Sequence, residues 1–215
     1  MRSELETEDL IESLARCADP VRSLPPPWRR TVDWLAIALP AVAVVAVVET
    51  PRDDLAERLA DIRFLTEQAA ALASAVTAAA AAFALVIPGR DRRFVFLPLV
   101  PVAVWLGSLW QDGFVTWLKG GDAFRLSNDW VCFPGIGVAG AIPALIMVMM
   151  LRRGVPLVPR TTVLLGAFAS AALGSVGLRL FHAQDAGLMV LVWQFGSVML
   201  LSALACWGGR RILHW

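Results

Sequence analysis

Lysine is almost missing: Lys119 is the only one among 19 basic residues. Tyrosine is absent, there are two histidines and three cysteines, and only 17% of the 215 residues are charged. A soluble domain typically carries about a quarter charged residues. Three cysteines exclude a secreted disulfide scaffold. A net charge of +1 excludes a nucleic-acid binder built on overall charge, so no direct nucleic-acid binding is expected. The chain has no GxSxG, HExxH, P-loop or CxxC pattern, and no nucleophile–base–acid set stands out. The run Pro134-Gly135-Ile136-Gly137-Val138-Ala139-Gly140 resembles a dinucleotide fingerprint only superficially, because no strand precedes it; close helix packing is the better reading. Ionisable groups are also scarce inside the apolar runs. Transporters and pumps need such embedded charges, which argues against a secondary transporter.

What the chain has is apolar length. Hydrophobic residues make up 58%, with a mean hydropathy of +0.65. They fall into six runs, about residues 32–48, 64–87, 94–110, 134–151, 161–180 and 187–207. Each approaches the roughly 20 residues that cross a bilayer. The expected fold class is all-α: a polytopic membrane protein of six transmembrane helices. The positive-inside count sets the orientation. Thirteen Arg lie on the side of the N-terminus, against six Arg or Lys on the other, so both termini are expected in the cytoplasm. Residues 1–31 form a cytoplasmic segment, 32–207 the transmembrane domain and 208–215 a cytoplasmic tail. The second run is rich in alanine, which lets helices approach closely in lipid. Between runs one and two, Leu55, Leu59 and Ile62 alternate with charges, and 49–63 reads as a short interfacial helix. Glu67 reads as an interfacial carboxylate near Arg63 at i−4, and Gln194 as the main strongly polar group at depth.

The first 31 residues are polar and acidic at their start, with no apolar core of a signal peptide. Ser3 and Glu6 fit a capping box, with Thr7 as an alternative cap. Leu10, Ile11, Leu14, Cys17 and Ala18 then form one apolar stripe on a short amphipathic helix ending at Pro20. The opposite face carries Asp9, Glu12, Arg16 and Asp19. Pro25-Pro26-Pro27 reads as a stiff spacer and Trp28-Arg29-Arg30 as an interfacial anchor. Such a helix on a tether suits capture of a soluble protein. It could equally lie on the inner leaflet, but an acidic face disfavours anionic lipid and favours a basic partner.

The cysteines lie at different depths, so no disulfide among them fits this topology. Cys17 and Cys206 read as packing residues. Cys132 sits on the outer side, beside a Trp-rich loop, and His182 lies in the facing outer turn. Thiolate and imidazole suit soft or borderline ions such as Zn or Cd, and Asp129 and Asp185 could add oxygens. A bland interfacial Cys and His is the competing reading. A small metal-ion transporter or membrane enzyme built on Cys132, His182 and Asp129 is the alternative functional class. No resident cofactor is expected.

Several pieces carry a family resemblance: Pro-Val-Arg-x-Leu-x-Pro-Pro (20–27), Asp-x-Arg-Phe (61–64) with Glu67, Asp-Trp-x-Cys (129–132), Leu-Arg-Arg-Gly-x-Pro-Leu-x-Pro (151–159), Leu-Arg-Leu-x-His (178–182) and Val192-Trp193. The chain resembles the NrsF-type six-span bacterial anti-sigma factors, negative regulators of an extracytoplasmic-function (ECF) sigma-F factor. The resemblance implies a protein of the bacterial inner membrane that holds an ECF sigma factor and releases it under heavy-metal or oxidative stress. The reading of the N-terminal helix agrees independently: the stripe Leu10, Ile11, Leu14, Cys17 and Ala18 would hold the sigma factor. The resemblance also implies sensing at Cys132 and at the position of a second family cysteine, which Ala183 occupies here next to His182. A disulfide between 132 and 183 is impossible in this chain.

Overall fold

The computed structural model describes residues 2–17, 24–118, 132–154, 157–182 and 190–212. Among them there is no strand, and the helices are α1 (Arg2–Cys17), α2 (Pro27–Val48), α3 (Leu55–Arg58), α4 (Ile62–Leu85), α5 (Leu99–Leu118), α6 (Cys132–Leu151), α7 (Pro159–Phe181) and α8 (Gly196–Ile212). A 3-10 turn (Arg92–Phe96) precedes α5, and a π-helical segment (Val190–Phe195) runs into α8. Among the described residues five helices are long and apolar enough to cross a membrane: Pro27–Val48, Ile62–Leu85, Arg92–Gln111, Phe133–Leu151 and Pro159–Phe181. They are compatible with a multi-pass membrane protein. The last apolar helix, Val192–Gly208, is shorter than these.

Local chemistry moves several boundaries from their expected places. Pro27 is not spacer but the opening of α2, where a missing N–H costs nothing. The Thr31 hydroxyl donates to the Pro27 carbonyl and secures this first turn (2.9 Å). Trp28-Arg29-Arg30 is therefore helical. The expected interfacial helix at 49–63 shrinks to the single turn of α3, because Asp61 caps α4 by accepting from the Arg63 N–H (2.9 Å). Asp91 does the same for the 3-10 turn through Arg93. Helix α5 continues to Leu118, eight residues past the expected end at 110.

Helix α7 is the centre. It packs against α2, α4, α6 and α8, and 78% of its apolar window is buried, against 17% for Arg92–Gln111. Small residues permit this. A Cβ on Gly174 would stand 2.7 Å from the Ile136 carbonyl oxygen and 2.9 Å from the Gly140 nitrogen; one on Gly140 would stand 3.0 Å from the Ser170 carbonyl oxygen. Helices α6 and α7 thus meet backbone to backbone. On the other flank α4 contributes Ala71, Ala75, Ala78 and Ala82, all buried. Polar side chains in this core turn back on their own helices. Ser74, Ser170 and Ser202 donate to the carbonyls of Ala70, Gly166 and Val198, one turn earlier.

The contacts also sort the helix ends. Arg30 at the start of α2 lies over Phe83 at the end of α4 and donates to the Met150 carbonyl at the end of α6. Cys206, late in α8, reaches the Arg160 carbonyl at the start of α7 (3.6 Å). Those termini share one end, here the arm end. Arg52, after α2, donates its backbone N–H to the Leu180 carbonyl at the end of α7 (3.1 Å) and marks the opposite end.

Gly174→Ala should therefore force α6 and α7 apart and destabilise the bundle by about 1–3 kcal/mol. Gly107→Ala, with nothing within 4 Å of the added carbon, should leave it unchanged or gain slightly. Thermal unfolding of the two variants in detergent checks this; equal midpoints would refute the close contact.

Candidate functional site

Helix α1 forms where the periodicity places it, but it begins at Arg2, so Ser3 and Thr7, the two expected caps, both lie inside it; the expected end at Pro20 lies outside the described residues. Leu10, Ile11 and Leu14 are 58%, 60% and 64% exposed, and Cys17 is exposed beside them. Ala18 lies outside the described residues. Together Leu10, Ile11 and Leu14 form one contiguous apolar stripe, the kind of exposed patch that marks an interaction surface. The other face carries Glu8, Asp9 and Glu12, the last paired with Arg16 (2.6 Å) on the helix surface.

At the arm end, the tether enters the bundle through a fitted contact. A Cβ on Gly154 would stand 3.2 Å from a Leu24 methyl and collide with Val86, so only glycine lets the tether and the end of α4 close on this turn. Arg30 is buried. Its guanidinium sits 4.5 Å from the Phe83 ring centroid, a cation–π contact, and donates to the Met150 carbonyl. That carbonyl belongs to the last turn of α6, where acceptors lack intrahelical donors. Deeper in α2, the Trp34 indole donates to the Pro143 carbonyl of α6 (3.0 Å).

At the opposite end, Glu67 and Arg179 form an ion pair at 2.9 Å with side chains only 3% and 8% exposed. The Arg179 guanidinium also lies 5.3 Å from the Phe64 ring centroid. This corrects the expectation of an interfacial carboxylate: Glu67 is buried and joins α4 to α7. The signal was one turn of α4 ahead of it, since Phe64 and Glu67 lie on one face. Arg52 is buried as well and grips Asp54 through two hydrogen bonds of 2.5 and 2.7 Å, with Arg58 on the second oxygen at 3.2 Å. The Arg52 hydrogen bond first, helped by Arg58, holds the Asp54 carboxyl well below the usual carboxylate range. Gln194 is at depth as expected, donating to the Ser175 carbonyl (3.0 Å) and hydroxyl.

The candidate sensing residues separate into placed and unplaced. Cys132 is the first residue of α6, and His182 follows α7, half-buried. A Cβ on Gly135 would meet the Leu178 side chain at 2.7 Å, so these two termini are antiparallel neighbours at the end opposite the arm. Asp129, Ala183 and Asp185 lie outside the described residues. Among the described residues no three His, Cys, Asp or Glu come together as a metal site.

Four of the sequence pieces thus meet in pairs. The 20–27 and 151–159 pieces join at the arm end, through Leu24 and Gly154. The 61–67 and 178–182 pieces join at the other end, through Glu67 and Arg179. A helical bundle of membrane-spanning lengths with an exposed amphipathic arm defines the class. A family model described as "NrsF: Negative regulator of sigma F" matches residues 14–215, and the chain belongs to that family. The match begins within α1, so Leu14 and Cys17 fall inside it and Leu10 and Ile11 ahead of it. Searches of curated proteins and of solved structures returned no match. Membership supports an anti-sigma role with a sigma factor as partner, and points away from an enzyme.

Glu67→Ala should leave Arg179 as an uncompensated buried cation and destabilise the bundle by about 3–5 kcal/mol. Replacing both partners, Glu67→Leu with Arg179→Met, should recover most of that loss. Unfolding midpoints of the single and double variants test it; a single variant as stable as the parent would show that the pair is solvated.

Proposed function

We propose that this protein is a bacterial inner-membrane anti-sigma factor that captures an ECF sigma factor with α1. The observation that carries the reading is an exposed apolar stripe, acidic on its other face, in a chain whose family regulates sigma F negatively. Leu10, Ile11, Leu14, Cys17 and Ala18 would enter a groove on the sigma factor. The acidic face favours a basic protein, and DNA-binding surfaces are basic. In this reading α8 completes a sixth span, both termini are cytoplasmic, and lipid surrounds the bundle. The Cys206 contact supports it, because the end of α8 returns to the arm end. Release follows a metal or oxidative signal at the periplasmic end, where Cys132 and His182 flank neighbouring helix termini. A soft ion such as Zn or Cd fits their chemistry. With Ala183 in place of a second thiol, this chain is expected to bind such ions weakly.

Leu10→Asp with Leu14→Asp should abolish co-purification of the sigma factor, since a carboxylate in a dry interface costs several kcal/mol. Membrane insertion should remain normal. Unchanged co-purification would refute the assignment of α1.

Orientation and sensing share one test. In intact spheroplasts, a membrane-impermeant maleimide should label Cys132 and spare Cys17. Cd should slow that labelling weakly here and strongly after Ala183→Cys. Labelling of Cys17 before permeabilisation would overturn the orientation; no Cd effect in Ala183→Cys would overturn the sensing site.

A further inference from the structure

The arm end of the bundle is strongly and one-sidedly charged. Arg29, Arg90, Arg92, Arg93, Arg152 and Arg153 are all exposed there, on the start of α2 and on the turns after α4 and α6. The contacts of Arg30 with Phe83 and Met150, and of Gly154 with Leu24 and Val86, bring those three segments together. Carboxylates are scarce on this side of the chain outside the N-terminal segment: Asp33 and Asp91 only. The acid that would balance the collar is on α1, whose Glu8, Asp9 and Glu12 are exposed, Glu12 beside its partner Arg16.

We propose that, when no partner is bound, α1 docks by its acidic face on this arginine collar. Reach permits it: residues 18–23, between α1 and the anchored Leu24, can span up to about 20 Å, and α1 itself is about 24 Å long. Single surface ion pairs are weak, so the docking depends on several carboxylates meeting several arginines at the high effective concentration of a short tether. The apolar residues lie on the other side of α1 from Asp9 and Glu12, so docking by the acidic face directs the stripe away from the collar and covers the face that favours a basic partner. A partner must then lift α1 from the collar, and capture becomes a competition. That last consequence rests on the proposed function; the docking does not.

The scarcity of lysine supplies a clean test. Lys119 is the only native lysine, and in sequence it follows α5 rather than belonging to the collar segments. Arg92→Lys and Arg152→Lys, made in the full chain, each place one amine in the collar without changing its charge. The variants are assembled in neutral phosphatidylcholine nanodiscs, treated with a zero-length carbodiimide, and mapped by peptide mass spectrometry. The expected result is coupling of the introduced amines to Glu8, Asp9 or Glu12 at low salt. It should be lost in 1 M salt, where the screening length falls to about 3 Å, and lost again in Glu8→Gln/Asp9→Asn/Glu12→Gln. Coupling to Asp33 or Asp91 alone, or none at all, would overturn the proposal and leave anionic lipid as the cover of the collar. Coupling between isotopically distinguished chains would overturn docking within one chain. No sigma factor is present, so a failure here leaves capture by α1 standing, and a failed capture leaves the cross-links standing. With the partner added, Arg92→Gln/Arg152→Gln should raise its affinity about tenfold if α1 is docked nine-tenths of the time. An unchanged affinity would overturn the competition.

Discussion

The backbone contact between α6 and α7 at Gly140 and Gly174 sets the spacing of everything else. Lipid chains are as apolar as leucine, so helices in a bilayer gain little from hiding apolar surface and associate instead through packing and hydrogen bonds. Two glycines remove the side chains that would hold the helices apart, and the dispersion contacts that follow are many and small. With α6 drawn in, α7 becomes a central post that α2, α4 and α8 can also reach. Alanines on α4 extend the same solution to its other flank.

On that close-packed centre the chain places its costly groups at the ends. Arg30 is buried at one end against an aromatic ring and a helix-terminal carbonyl; Glu67 and Arg179 are buried at the other. A buried ion pair returns little net stability against an apolar replacement, but breaking it is expensive, so it fixes how α4 and α7 meet rather than how strongly. The result is a bundle with two distinct ends. One holds the root of the arm, and the other holds the termini that carry Cys132 and His182. Helix α6 runs between them, from Cys132 to the carbonyl that holds Arg30, and receives Trp34 midway through Pro143. Helix α6 is thus the most direct connection between the two ends.

Much of this was legible from residue order. Apolar runs of bilayer length, spaced by short charged turns, required helices, because backbone groups in hydrocarbon must be satisfied within the segment. The stripe of α1 and the scarcity of embedded charge were equally plain, and the six quoted motifs placed the family. Helix starts were less legible: Pro27 and Asp61 act as a first-turn residue and a cap, and their meaning depends on which side of them the chain turns helical.

The sequence by itself determined an all-helical, membrane-compatible chain with an amphipathic arm, because hydropathy and 3.6-residue periodicity are properties of neighbours along the chain. It could not determine that Glu67 finds Arg179, 112 residues away, or that Leu24 closes on Gly154. A carboxylate one turn into a span has a ready sequence neighbour in Arg63, and nothing local says that another helix supplies its counter-charge. Only the tertiary structure decided which termini share an end. That choice follows from where glycine and alanine let backbones touch, and such contact is a relation between helices that no single helix encodes.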